Sequence, residues 1–170
     1  MTWKEQNLQK QCVAWFRAQY PQYAMLMTHP INEGGRNTAR VGGIHKGEGT
    51  VAGVPDLLLF IPMHYELPGH PGIYQCRYHC LGIEMKTQKG RQSQEQKDFK
   101  RVFEAAGNKY VIVRSLEEFM KVINNYIAQV EVDRKKMIAE ETAAIIRERE
   151  EKEREHFYKV IGKKDPSKTT

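Results

Sequence analysis

Asp56 stands at the head of the apolar run Leu57-Leu58-Leu59-Phe60-Ile61, and Glu84 and Lys86 stand at the end of Leu81-Gly82-Ile83-Glu84-Met85-Lys86. Apolar runs of this length, rich in branched residues, read as buried strands. Charged side chains are seldom buried without a partner, so two carboxylates and a lysine at such positions need a chemical reason. A hard divalent cation supplies one, because Mg2+ takes one or two carboxylates and keeps open positions for water and a phosphate. Glu84 and Lys86 are two residues apart and project from the same face of a strand. That spacing sets an acidic ligand and a cation side by side, facing one phosphate. The local alternatives are a turn aspartate after Pro55 and a solvated strand face for Glu84 and Lys86. The complete set of three, with its apolar flanks, favours the chemical reading.

The elements that position these residues follow from capping and periodicity. Thr2-Trp3-Lys4-Glu5 fits a capping box, and Leu8, Cys12, Val13 and Phe16 continue it as a helical stripe that Pro21 closes. Tyr23 to Thr28 is expected to form a first strand. Glycines at 34, 35, 42, 43, 47, 49 and 53 make residues 33–54 a loop whose backbone can approach a ligand closely. Its length points to function or disorder. Asp56 to Ile61 is the expected second strand and Ile73 to Met85 a long third one, so that residues 57–85 form a hairpin around a turn rich in Pro and Gly. Ser93-Gln94-Glu95-Gln96 is a second capping box. It opens a helix with Phe99, Val102, Phe103 and Ala106 on one face, ended by Gly107. Tyr110 to Val113 is a fourth strand, and Ser115 caps a third helix that buries Phe119, Val122, Ile123, Tyr126 and Ile127. The order αβββαβα, with a helix between strands three and four, predicts an α/β fold with a mixed sheet.

From Glu131 the chain is mostly Glu, Lys, Arg, Ala and Ile, with ion pairs at i,i+4 such as Arg147–Glu151 and Glu150–Arg154. Residues 131–158 read as a charged helical extension and 159–170 as a disordered tail. Ile138 and Ile145 are seven apart, but the repeat stops there, which is too short for a sustained coiled coil. The 170-residue chain carries a formal charge of +6. Residues 1–124 hold 16 Lys and Arg against 11 Asp and Glu, so the basic excess belongs to the part with the candidate site. A polyanionic partner fits that charge. Three cysteines give no disulfide framework. The absence of an apolar signal segment or bilayer-length run predicts a soluble, cytoplasmic protein with no membrane partner.

Gly53-Val54-Pro55-Asp56 followed by Ile83-Glu84-Met85-Lys86 resembles the PD-(D/E)xK nuclease signature. The surroundings resemble its VRR-NUC subfamily. They comprise His29-Pro30-Ile31-Asn32-Glu33-Gly34, the Gly-rich approach to Asp56, Gly90-Arg91-Gln92-Ser93 leading to Gln96, and Gly107 to Val113. The resemblance covers residues 3–124, within a nuclease domain drawn at 1–130. It implies an αβββαβ restriction-endonuclease-like core and Mg2+- or Mn2+-dependent hydrolysis of DNA, branched or flapped structures included. Among stand-alone, phage-type members it also implies a homodimer, acting in the bacterial cytoplasm if phage-encoded. The alternative is a DNA-binding module that keeps the fold without catalysis.

By that resemblance Asp56 and Glu84 match metal ligands, joined by the Met85 backbone carbonyl, and Lys86 matches the lysine that aligns water and opposes developing charge. Glu5 matches the acidic residue of the first helix, as a further metal ligand, and Gln96 the glutamine after the lysine strand. Both also complete capping boxes, which alone would explain them. Arg36, Arg40, Lys46, Lys89 and Arg91 are candidate phosphate contacts, and His29 and Asn32 candidate orienting residues. Cys76, His79 and Cys80, with His64 or His70, invite a zinc reading. A strand would place Cys76 and Cys80 on one face and His79 on the other, which argues against it. His45-Lys46-Gly47-Glu48 lacks the pattern of a nucleotide-binding phosphate loop.

Overall fold

The structure is a computed structural model that describes residues 2–30 and 49–162. Helix α1 (Trp3–Gln19) begins at the expected box: Thr2 accepts from the Glu5 amide and the Glu5 carboxylate accepts from Thr2. Pro21 then starts a 3-10 turn, Pro21–Leu26, so the expected strand from Tyr23 shrinks to β1, Met27–Thr28. The proline fixes φ at a helical value and lacks a donor for a sheet ladder, which favours the tight turn over extension.

Four strands form the main sheet in the order β1, β2 (Leu57–Leu59), β5 (Leu81–Met85), β6 (Lys109–Val113). β1–β2 and β2–β5 are antiparallel, and β5–β6 is parallel. The sheet is therefore mixed, with helix α2 (Gln94–Ala105) as the crossover between β5 and β6. The long third strand expected from Ile73 to Met85 is two strands. β4 (Tyr74–Tyr78) pairs with β3 (Met63–Glu66) in a separate ribbon, and β5 runs through the centre of the main sheet. The break falls at His79 and Cys80, where the His79 amide turns to the Gly107 carbonyl at 3.0 Å. The polar residues at this point mark the change of partner. Likewise the expected second strand, Asp56 to Ile61, is regular only over Leu57–Leu59.

The period of two along β5 divides its side chains between the faces of the sheet. Leu81, Ile83 and Met85 join Leu57, Leu59 and Val113 in the main core, against Cys12 and Phe16 of α1 and Phe119, Ile123, Tyr126, Ile127 and Val130 of the third helix. The opposite face carries Gly82 and Glu84, with α2 above them. Gly82 makes room for Phe103 and Pro55, whose carbons would lie 2.9 and 3.0 Å from an added Cβ. α2 buries no residue fully. Phe99 and Phe103 stack at 5.5 Å, whereas Val102 of the expected stripe is exposed. The third helix and the charged extension are one continuous element, α3, Leu116–Val160. Residues 163–170 lie outside the described part of the expected tail. Among the described residues no helix is long and apolar enough to cross a membrane.

Gly53 links the Gly-Val-Pro-Asp run to α2. Its φ is +84°, and a Cβ there would meet the Glu95 carbonyl oxygen at 2.3 Å and the Gln96 nitrogen at 2.8 Å. Backbone atoms of a helix start cannot yield as a flexible side chain can. Gly53→Ala is expected to cost about 2 kcal/mol or more from strain and clash together, read as a lowered urea midpoint with an unchanged slope.

Candidate active site

Asp56 immediately precedes β2, and the register Leu57↔Ile83 sets it opposite Glu84 across the β2–β5 pair. Its Oδ2 accepts from the Met85 amide at 2.7 Å. Its carbonyl accepts from His29 Nδ1 at 2.6 Å, a contact that fixes the proton on Nδ1 because a carbonyl can only accept. His29 therefore orients the backbone that presents Asp56.

Glu84 is 1% exposed and is held by donors from three elements. Oε1 accepts from Lys86 Nζ at 2.9 Å and from Gln96 Nε2 at 2.5 Å, and Oε2 accepts from Tyr110 Oη at 3.1 Å. The Tyr110 hydroxyl in turn accepts from Gln92 Nε2 at 3.4 Å. Gln96 is also the expected cap, since its Oε1 accepts from the Ser93 amide at 3.0 Å. One amide thus caps α2 and contacts the buried carboxylate. Glu5, 6% exposed, has a similar double engagement. Oε2 accepts from the Thr2 amide at 2.7 Å and the Thr2 hydroxyl at 3.0 Å, and Oε1 accepts from the Thr87 amide at 3.2 Å, one residue past Lys86.

The acids differ in electrostatic state. Burial, then repulsion from Glu84, pushes Asp56 up from 3.8 to about 6, against the Met85 amide and the Lys86 charge. For Glu5, burial acts upward but is outweighed by the Thr2 and Thr87 donors and by Lys86, so its pKa is lowered. Burial and the adjacent Glu84 push Tyr110 well above the usual phenol value, which keeps it a neutral donor.

The structure thus brings together Asp56, Glu84, Lys86, Gln96 and Glu5. Lys89 and Arg91 are exposed on the segment that leaves β5. Arg36, Arg40, Lys46 and Asn32 lie outside the described residues. Sequence reasoning passed over Tyr110, Gln92 and Arg114. The Arg114 guanidinium donates to the Thr87 carbonyl, to Gly90 O at 3.0 Å and to Gln88 O at 3.5 Å, clamping the turn after Lys86. The available signal for Tyr110 was its hydroxyl-bearing ring at the head of an otherwise aliphatic strand. The zinc set does not assemble: Cys76 is exposed, Cys80 is buried, and no three His, Cys, Asp or Glu side chains converge as a metal site among the described residues. The strand break does bring His79 Nδ1 to 3.3 Å from Cys76 Sγ, where an unbroken strand would have separated them.

No family model matches the chain, and no curated protein matches it. The mixed sheet and its crossover helix define an α/β fold. A solved structure described as a VRR-NUC domain protein superimposes with a TM-score of 0.59 at 20% identity, over 76% of this chain and 92% of that one. The chain therefore shares the fold of that VRR-NUC domain protein.

Two outcomes follow from the geometry. A raised acid favours folding most when protonated. The Asp56 contribution is full below its unfolded value of 3.8 and is lost as pH rises through about 6. In metal-free buffer, wild type should lose up to about 3 kcal/mol relative to Asp56→Asn across that window, measured as urea midpoints against pH. Tyr110→Phe removes one donor from a buried carboxylate and should cost about 1–3 kcal/mol by the same measurement.

Proposed function

We propose that this protein is a divalent-metal-dependent nuclease that hydrolyses phosphodiester bonds in DNA, branched and flapped structures among them. The observation that carries the reading is the buried Asp56–Glu84 pair with Lys86 on one of its carboxylates. The residues fit a hard cation. Burial, then repulsion from Glu84, raises the proton affinity of Asp56, and a dication would relieve the repulsion. Asp56, Glu84 and the Met85 carbonyl would hold Mg2+ or Mn2+. Glu5, whose Oε1 accepts from the Thr87 amide one residue past Lys86, serves as a positioning group for the Lys86 segment.

A cation held there would supply Lewis-acid polarisation of the phosphoryl group and a water of lowered pKa. The chain's own residues supply placement. Glu84 fixes the Lys86 ammonium, which orients the attacking water and opposes the negative charge that develops on phosphorus oxygens. Gln96 and Tyr110 prevent Glu84 from turning away. Lys89 and Arg91 contact flanking phosphates, which would make binding steeply salt-dependent. The three unpaired cysteines, one of them exposed, support a reducing, cytoplasmic setting.

The decisive assay uses linear, flapped and branched DNA with Mg2+, Mn2+ or EDTA. Cleavage is expected with either metal and lost in EDTA. Asp56→Ala and Lys86→Ala should each lower the rate by about 100-fold or more, with far-UV circular dichroism retained. Equal rates for Lys86→Ala and wild type would remove the lysine from the mechanism. Salt-sensitive binding of uncut DNA would favour a binding module instead.

A further inference from the structure

β4 closes on Cys76-Arg77-Tyr78, and His79 stands at the break before β5. There the His79 ring places Nδ1 3.3 Å from Cys76 Sγ. The ring has a fixed seat. The His79 amide donates to the Gly107 carbonyl at 3.0 Å. A Cβ on Gly107 would lie 3.1 Å from His79 Cδ2 and 3.3 Å from Nε2, so the glycine that ends α2 also makes room for the imidazole. The contact joins a proton donor to a proton acceptor. A thiol can pass its proton to an unprotonated ring nitrogen, and the thiolate left behind is the nucleophilic form of cysteine. Neither residue takes part in the Asp56–Glu84 site.

The surroundings select a reactant. Cys76 and Arg77, with Tyr65 of β3, line an open groove of about 430 Å3. The Arg77 guanidinium lies 5.8 Å from the centre of the Tyr78 ring and pairs with no carboxylate among the described residues. Beside the thiol there is thus a cation whose planar fork matches a carboxylate. The other cysteines differ. Cys12 and Cys80 are buried, and burial pushes their thiols up to about 12 and about 11.

We propose that Cys76 and His79 form a thiol–disulfide exchange site, at which Cys76 is thiolated by a small organic disulfide bearing carboxylates. His79 Nδ1 takes the Cys76 proton, and the thiolate attacks one sulfur of the disulfide. The new bond joins that sulfur to Cys76 Sγ. The old S–S bond breaks, and its electron pair leaves on the second sulfur. This departing thiolate takes the proton from His79 and leaves as a free thiol. Cys76 is oxidised, one half of the disulfide is reduced, and the proton ends on the leaving group. Arg77 holds a carboxylate of the reactant in the groove. A reducing thiol reverses the exchange. The proposal is independent of the nuclease reading.

The test incubates the full chain with glutathione disulfide, which carries carboxylates, or with neutral bis(2-hydroxyethyl) disulfide. Intact mass and peptide mapping follow the adduct. A single adduct on Cys76 is expected, removed by dithiothreitol and absent from Cys76→Ser. His79→Gln should slow both reagents about 10-fold or more. Arg77→Gln should slow glutathione disulfide about 3-fold and leave the neutral reagent unchanged. All three positions are exposed, and circular dichroism checks that each variant is folded. Preferential labelling of Cys12 or Cys80, equal rates for His79→Gln and wild type, or an Arg77→Gln effect that is the same for both reagents would each overturn the proposal.

Discussion

Glu84 is a carboxylate at the centre of a four-stranded sheet, with 1% of its surface exposed. Removing such a group from water costs several kcal/mol unless charged and neutral donors replace the lost hydration. No single element can supply them. Lys86 reaches it from two residues along β5, Gln96 from the first turn of α2, and Tyr110 from β6. The charge can therefore be buried only when strand, crossover helix and neighbouring strand are all in place. Several features follow from that requirement: Gly82 clearing the sheet face for Phe103, Gly53 seating against the first turn of α2, and Gly107 ending the helix so that β6 can begin.

The same geometry separates the three acids by environment. Glu84 has a cation and two neutral donors, and Glu5 has three donors from Thr2 and Thr87. Asp56 has the Met85 amide as its side-chain donor among the described residues. Its burial, with repulsion from Glu84 across the strand pair added, outweighs that one donor and raises its pKa, whereas the donors from Thr2 and Thr87 bring that of Glu5 down. Added positive charge near the pair would act first on Asp56.

Much of this arrangement was legible in the chain. The Asp56, Glu84 and Lys86 spacing follows from period-two alternation, and both capping boxes form where Thr2–Glu5 and Ser93–Gln96 predict them. Long-range partner choice was not legible. Residues 73–85 have strand character throughout, and only tertiary pairing assigns β4 to the ribbon and β5 to the sheet. Tyr23 to Leu26 has β-forming residues too, but Pro21 directs a 3-10 turn. Val102 fits the helical stripe of α2, yet α2 covers a narrow sheet face on which Phe99 and Phe103 suffice. Arg114 gave no local signal because its acceptors are backbone carbonyls 24 to 27 residues away.

Capping and site chemistry also prove not to be rival explanations for Glu5 and Gln96. A side-chain amide has an acceptor end and a donor end, and Gln96 uses the first for the Ser93 amide and the second for Glu84. A carboxylate has two oxygens, and Glu5 uses one for Thr2 and the other for Thr87. In each case the helix start and the site share one side chain, so any shift of the helix along its axis is felt at the carboxylate or at the lysine segment. A cap that did nothing else could be exchanged for any residue with equal capping preference. Here the exchange must also preserve reach to a second group across the structure, and Asp at position 5 or Asn at position 96 would cap while falling a methylene short.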